Sequence, residues 1–147
     1  MPCGAIPIKA ITLESFAPFG TVVDWTETLE DSGRPFHILV RSEAATGWRL
    51  AVLKVGTRAT QQMENHPHSE ELFAAIDGRA LLLVAERGPF VEEDVQAFFL
   101  DRPVSVGPAV WHGVIALSQS ATILIAEYPD WGAQRITLSR PIESMLF

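Results

Sequence analysis

His66-Pro67-His68-Ser69-Glu70-Glu71-Leu72-Phe73-Ala74-Ala75-Ile76-Asp77-Gly78-Arg79-Ala80-Leu81-Leu82-Leu83-Val84-Ala85 is the stretch on which the fold turns. Residues 72–76 form a short apolar run. Asp77-Gly78 follows, a dipeptide suited to the positive φ of tight hairpin turns. A second apolar run, 80–85, lies beyond it. Two such runs about such a turn read as strands of a β-hairpin, and neither is long enough for a buried helix.

The same reading extends in both directions. Residues 12–17 predict a short N-terminal helix, with Thr12 as cap and Pro18 close to its end. Val22 and Val23 suggest a strand ending near Asp24, and residues 26–35 read as an exposed loop. Short strands are expected at 36–40, 48–55, 97–100, 110–117, 121–126 and 135–138, separated by Gly88-Pro89, Gly107-Pro108 and Pro129-Asp130. No long segment has a 3.6-residue apolar period, and no internal repeat or low-complexity segment is present. The pattern is all-β, a barrel or a two-sheet sandwich.

The chain has 147 residues, which is the size of one domain, so residues 1–147 are expected to form a single unit. A hydrophobic content of 48% with 20% charged residues excludes global disorder. The longest unbroken apolar run, Ala80–Ala85, is far short of the ~20 residues of a transmembrane helix, so no membrane partner is expected. The net charge is −7, with no cluster of Lys and Arg, which argues against nucleic acid. Cys3 is the single cysteine; disulfides and thiolate-rich metal sites are excluded. The N-terminus shows no basic segment followed by an apolar core, so the cytoplasm is the expected location.

His37, His66, His68 and His112 are the histidines. On an extended chain residues two apart face the same way, so His66 and His68 can point together into a barrel mouth. Glu71 opens the next strand and His112 lies downstream. Three imidazoles with a carboxylate suit one divalent ion such as Mn, Fe, Ni or Zn, with a position left open for substrate. The expected ligand set is therefore His66, His68, Glu71 and His112. Glu70 competes with Glu71, because only one of two adjacent strand residues faces inward. His112, between Trp111 and Gly113, also fits a packed core residue, and His37 fits either a pocket or a half-buried strand.

His-x-His, then Glu71-x6-Gly78, then His112 resembles the metal-binding pattern of the cupin superfamily. The chain departs from that pattern in having fewer residues between His68 and Glu71, Thr60 where a glycine is usual, and Ala116 where an asparagine is usual. The opening Ile11-Thr12-Leu13-Glu14-Ser15-Phe16-Ala17-Pro18-Phe19-Gly20 is similar to that of the ureidoglycolate lyase family. Phe36-His37, Glu64-Asn65-His66-Pro67, Phe73 and Val110-Trp111-His112 resemble further segments of that family, although Asn65 stands where it has an arginine.

The resemblance implies a small cupin-type β-barrel, a double-stranded β-helix or jelly roll, with a short N-terminal helix. It also implies metal-assisted elimination of urea from ureidoglycolate to give glyoxylate. Glu70 or His37 would then act as general base or acid. Phe73, Trp111 and Arg41 would contact a small anionic substrate, with Arg49 and Arg58 as other candidate cations. An isomerase or dioxygenase acting on a small organic acid, or a non-catalytic acid-binding cupin, are the alternatives. A homodimer is expected, because small barrels leave sheet edges that pair across a two-fold axis.

Overall fold

The computed structural model of the chain describes residues 6–24, 26–34, 39–40, 47–56, 58–128 and 132–144. Its strands form two sheets. The first runs β1 (Ile8–Lys9), β7 (Gln96–Phe99), β6 (Ala80–Ala85), β9 (Trp111–Ala116), β4 (Ala59–Asn65), β11 (Gln134–Glu143). The second runs β2 (Gly20–Val22), β8 (Val104–Val106), β5 (Glu71–Asp77), β10 (Ala121–Glu127), β3 (Arg49–Val55). From β3 to β10 the chain changes sheet at every connection except β6 to β7. These eight strands thus interleave as β7-β6-β9-β4 and β8-β5-β10-β3, the two Greek keys of a jelly roll. The all-β, double-stranded β-helix expectation holds.

The hairpin expectation does not. Gly78 has the positive φ that its dipeptide foretold, +70°, but β5 and β6 lie in opposite sheets. β5 pairs with β8 and β10, whereas β6 pairs with β7 and β9. The Asp77-Gly78 turn therefore carries the chain across the barrel. A Cβ at Gly78 would collide with the Ser120 carbonyl and lie 2.9 Å from Ala121 Cα, so the turn is packed against the β9–β10 connection. The reason lies in β6 itself. Ala80, Leu82 and Val84 face the interior, while Leu81, Leu83 and Ala85 fill a second core on the outer face. A strand apolar on both faces must be central, so it takes two neighbours within its own sheet.

The short helix is α1 (Leu13–Phe16). Thr12 Oγ1 accepts from the Ser15 amide at 2.9 Å and Ser15 Oγ accepts from the Thr12 amide at 2.8 Å, a reciprocal cap. Phe16 drops from it into the interior, where it meets Phe19 and Phe98 at centroid distances of 5.8 and 5.3 Å. Residues 26–35 were expected to be a loop, but α2 (Glu27–Asp31) occupies part of them as an exposed turn of helix. Its acidic first turn suits the helix dipole. The sequence reading also lacked β4 and β8. β8 is three residues long, and β4 shows no apolar alternation. In the segment 36–40 only Leu39 and Val40 are described, and they lie in no element.

Candidate metal centre

Three strands bring the chemistry together. Glu64 on β4 lies directly across from His112 on β9. His112 in turn faces Val84 of β6, so its side chain enters the barrel on the same face as Leu82 and Val84. Glu71 opens β5 on the opposite sheet with its side chain inward beside Phe73. His66 follows β4 by one residue and keeps the face of Glu64. Its position is tied to the β8–β9 connection: the Ala109 amide donates to the His66 carbonyl at 2.8 Å, and Asn65 Nδ2 donates to the Ala109 carbonyl at 3.3 Å. Ala109 sits at φ +64°, a left-handed conformation that costs a non-glycine residue about 1 kcal/mol. Backbone strain is thus stored at the turn that sets the distance between the two histidines.

The donor atoms of Glu64, His66, Glu71 and His112 all lie within 4.8 Å of one another. Glu71 Oε2 is 2.9 Å from His66 Nε2 and 2.8 Å from His112 Nε2. Glu64 Oε1 stands farther off, 3.8 Å from each ring nitrogen. The imidazoles stack at 5.3 Å, and Phe73 meets His112 edge-on. His112 Nδ1 lies 3.1 Å from the Val110 carbonyl, which fixes Nδ1 as the protonated donor. Its Nε2 therefore faces Glu71 and is the atom that would ligate an ion or, without one, carry a second proton. Among the described residues, His112 Nε2 and Glu71 Oε2 are both buried and neither makes a hydrogen bond of acceptable geometry. Both border the space shared with His66 and Glu64. Two imidazoles and two carboxylates converging on one point fit a divalent cation, whose nitrogen and oxygen ligands lie at about 2.0–2.2 Å. The residues can hold such an ion.

Without an ion, protons take its place. Burial disfavours charge on His112, but the Glu64 and Glu71 carboxylates outweigh it and raise the imidazole to about 9. Glu71 raises His66 against the opposing effect of burial. Burial works against the Glu71 charge, yet the two imidazoles hold its carboxyl well below the usual range. His112 also lowers Glu64. Beside Glu71 on the next strand is Glu127, and beyond it Arg49: the three residues form one rung across β5, β10 and β3. Arg49 donates to Glu127 Oε1 through Nε at 3.2 Å and Nη2 at 3.1 Å. Burial and the Glu71 charge push Glu127 up, and Arg49 opposes them.

A cavity of about 210 Å³ opens on this cluster, lined by Gln62, Glu64, Glu71, Phe73, His112 and Arg135, among others. The residues expected from the sequence divide clearly. His66, Glu71, His112 and Phe73 meet here. His68 is exposed and its ring is not among the converging donors; Glu64 occupies the fourth place. Pro67 interrupts the strand after His66, so the two-residue alternation that would have turned His68 inward does not apply. Glu70 points the other way, into a larger cleft of about 500 Å³ on the outer face of the second sheet. That cleft is mostly apolar, and none of the four donors is among its described lining residues. Trp111 also faces outward: it packs on Phe90, and its indole N–H donates to the Gly88 carbonyl at 3.0 Å. His37 and Arg41 lie outside the described residues. Arg58 borders a separate surface cleft with Ala59, Glu143 and Ser144.

Glu64, Glu127 and Arg135 were missed in the sequence. Glu64 carried a signal: it stands two residues before His66, so strand alternation places both on one face. Glu127 and Arg135 carried none, because each reaches the site through cross-strand register.

Comparison with known proteins supplies the remaining context. A family model described as ureidoglycolate lyase matches residues 3–129. A ureidoglycolate lyase of Rhizobium etli is 28% identical over 149 residues, covering 86% of each chain. One from Brucella anthropi is 31% identical over 138 residues, covering 82% of this chain and 80% of its own. Among solved structures, a dTDP sugar isomerase of Desulfovibrio desulfuricans is similar at TM-score 0.49 and 17% identity, covering 66% of this chain and 69% of that one. An oxalate decarboxylase of Bacillus subtilis is similar at TM-score 0.46 and 20% identity, covering 64% of this chain and 24% of that one.

Proposed function

The chain belongs to the ureidoglycolate lyase family, and from that membership we propose that it eliminates urea from ureidoglycolate to leave glyoxylate. The substrate carries a carboxylate, a hydroxyl and a urea nitrogen on one carbon. The hydroxyl proton leaves and its oxygen becomes the aldehyde oxygen. The C–N bond breaks with its electron pair going to the urea nitrogen, which gains a proton. Glyoxylate and urea account for every atom, and nothing is oxidised.

His66, Glu71 and His112, with Glu64 beside them, would hold one divalent ion of the Mn, Fe, Ni or Zn type. Such an ion, when bound, supplies Lewis acidity toward the substrate oxygens. The remaining work belongs to side chains. Glu64 is half-buried, borders the cavity, and stands off from the tighter trio, so it is placed to take the hydroxyl proton and return it to the departing nitrogen. Phe73 forms the apolar wall behind His112 and excludes water from the reacting carbon. The observation that carries the reading is the convergence of buried, unsatisfied Glu71 Oε2 and His112 Nε2. No feature of the cavity favours the isomerase, dioxygenase or binding-only alternatives.

The test is urea and glyoxylate release from ureidoglycolate by protein that has been loaded, stripped with chelator and reloaded with Mn, Fe, Ni or Zn. Release that is lost and restored with the ion is expected. Absence of release with all of the ions would refute it. The same reading takes the protein as a cytoplasmic homodimer of single-domain subunits. Leu50, Val52 and Ile76, exposed on the outer face of the second sheet, are the surface a second copy would cover. No helix of the described residues is long and apolar enough to cross a membrane. A monomer by light scattering at micromolar concentration would overturn the dimer.

A further inference from the structure

We propose that Arg135 receives the carboxylate of the substrate. The inference rests on the proposed function, because it presumes a small carboxylate acting at this cavity.

The first support is position. Arg135 on β11 lies directly across from Glu64 on β4, and Glu64 across from His112 on β9, so the three form one rung of the first sheet. Arg135 Nε lies 3.2 Å from Glu64 Oε2, and its side chain borders the cavity of the converging donors. It is the one cation among the described residues lining that cavity. Its side chain is 57% exposed, so an arriving solute meets it before the buried donors.

The second support is charge. A divalent ion at the cluster is balanced by the Glu64 and Glu71 carboxylates, whichever of them ligate it. The imidazoles are neutral when they hold a metal. The loaded cluster therefore has no net charge, inside a protein whose net charge is −7. An anion needs a local positive charge to enter. Arg49, the cation of the other rung, is spent on Glu127 through two of its nitrogens. Arg102 pairs with Asp24 and Asp101 away from the cavity. Among the described residues lining the cavity, Arg135 is the cation, and its planar guanidinium matches a carboxylate in shape.

The probes are glycolate and its neutral counterpart glycolamide, titrated into Mn-loaded protein by calorimetry, with ureidoglycolate kinetics alongside. Arg135→Gln is expected to raise the glycolate Kd and the ureidoglycolate KM by about tenfold or more, the scale of a lost charge-assisted hydrogen bond. Glycolamide binding and Mn affinity should change little. Arg135→Lys should restore part of the glycolate affinity. Equal losses for glycolate and glycolamide, or loss of Mn itself, would make Arg135 a mere support of Glu64 and overturn the proposal. Turnover by the wild type with an unchanged KM in Arg135→Gln would overturn Arg135 alone. A wild type that neither turns over ureidoglycolate nor binds glycolate would overturn the proposed function and this inference with it.

Discussion

Raising the pH should tighten metal binding in proportion to the protons that the two imidazoles surrender. His112, raised to about 9, holds a proton at neutral pH in the metal-free protein because Glu64 and Glu71 flank it. At pH 7 only about 1% of the rings are neutral, so the metal association constant is about 100-fold below its alkaline limit, or about 3 kcal/mol. His66 is raised as well and adds a second proton below its own titration. The slope of log K against pH should thus lie between about 1 and 2 near pH 7 and flatten toward pH 9. Calorimetric titration of Mn in buffers of different ionisation enthalpy counts the protons directly. Glu64→Gln removes one of the two carboxylates that hold the proton, so its slope should be shallower.

Stability obeys the same linkage with the opposite sense. The folded pKa of His112 lies above its unfolded value, so its ion pairing stabilises the metal-free fold fully below about pH 6.5. That contribution, at most about 3 kcal/mol, is lost as pH rises through about 9. Glu64 and Glu71 are lowered, so their contribution is present above about pH 4.5 and lost on acidification. The metal-free Tm should fall between pH 7 and 9, while Mn-loaded protein, whose ion replaces the protons, should not follow it. Metal affinity that is flat from pH 6.5 to 8.5, with no proton released, would refute the account of the site as a proton-filled cation cage.

Other perturbations separate the ligands from their neighbours. His66→Ala and His112→Ala should abolish retention of metal, whereas exposed His68→Ala should keep Mn affinity within about threefold; metal analysis after purification reads both. Glu127→Ala should weaken Mn affinity about 10–100-fold by freeing the Glu71 carboxylate, and Glu127→Gln, whose amide can donate to Glu71 and accept from Arg49, should do so much less. Equal affinities in a chelator competition would remove Glu127 from the site. Gly78→Ala places a Cβ against the Ser120 carbonyl at positive φ, and a loss of about 2 kcal/mol or more in denaturant unfolding is expected.

The parts legible in the sequence were those where one local rule decides the outcome. Thr12 and Ser15 specify α1 through their reciprocal cap, and residues 80–85 specify a buried strand by composition alone. Gly78 specifies its own φ but not which strands pair beyond it. That choice belongs to β6, which has apolar side chains on both faces and therefore needs neighbours on both edges. β4 was invisible for a functional reason. Its cavity-facing residues include Gln62 and Glu64, so the alternation that betrays a strand is replaced by the polar lining of a site.

The site is organised in rungs rather than motifs, which is why spacing found only part of it. One rung crosses the first sheet as Arg135, Glu64 and His112, and the other crosses the second as Arg49, Glu127 and Glu71. Each ends in an arginine paired with a glutamate; the first delivers Glu64 and His112 to the shared centre, and the second delivers Glu71. His-x-His spacing pointed to His68, but a side chain enters a barrel by the register of its strand, and the strand that carries Glu64 ends at Asn65. The two rungs differ in one respect. Glu127 stands between Arg49 and its ligand and absorbs the charge of that arginine, whereas Glu64 is itself a member of the cluster. Arg135 is thus one residue closer to the cluster than Arg49, and among the described residues it is the cation that borders the cavity. With Arg135 as the proposed carboxylate receiver, an anionic substrate would bind with its carboxylate toward β11 and its reacting carbon toward Glu71 and Phe73. That orientation makes Glu64, between the arginine and the imidazoles, the carboxylate nearest the substrate hydroxyl.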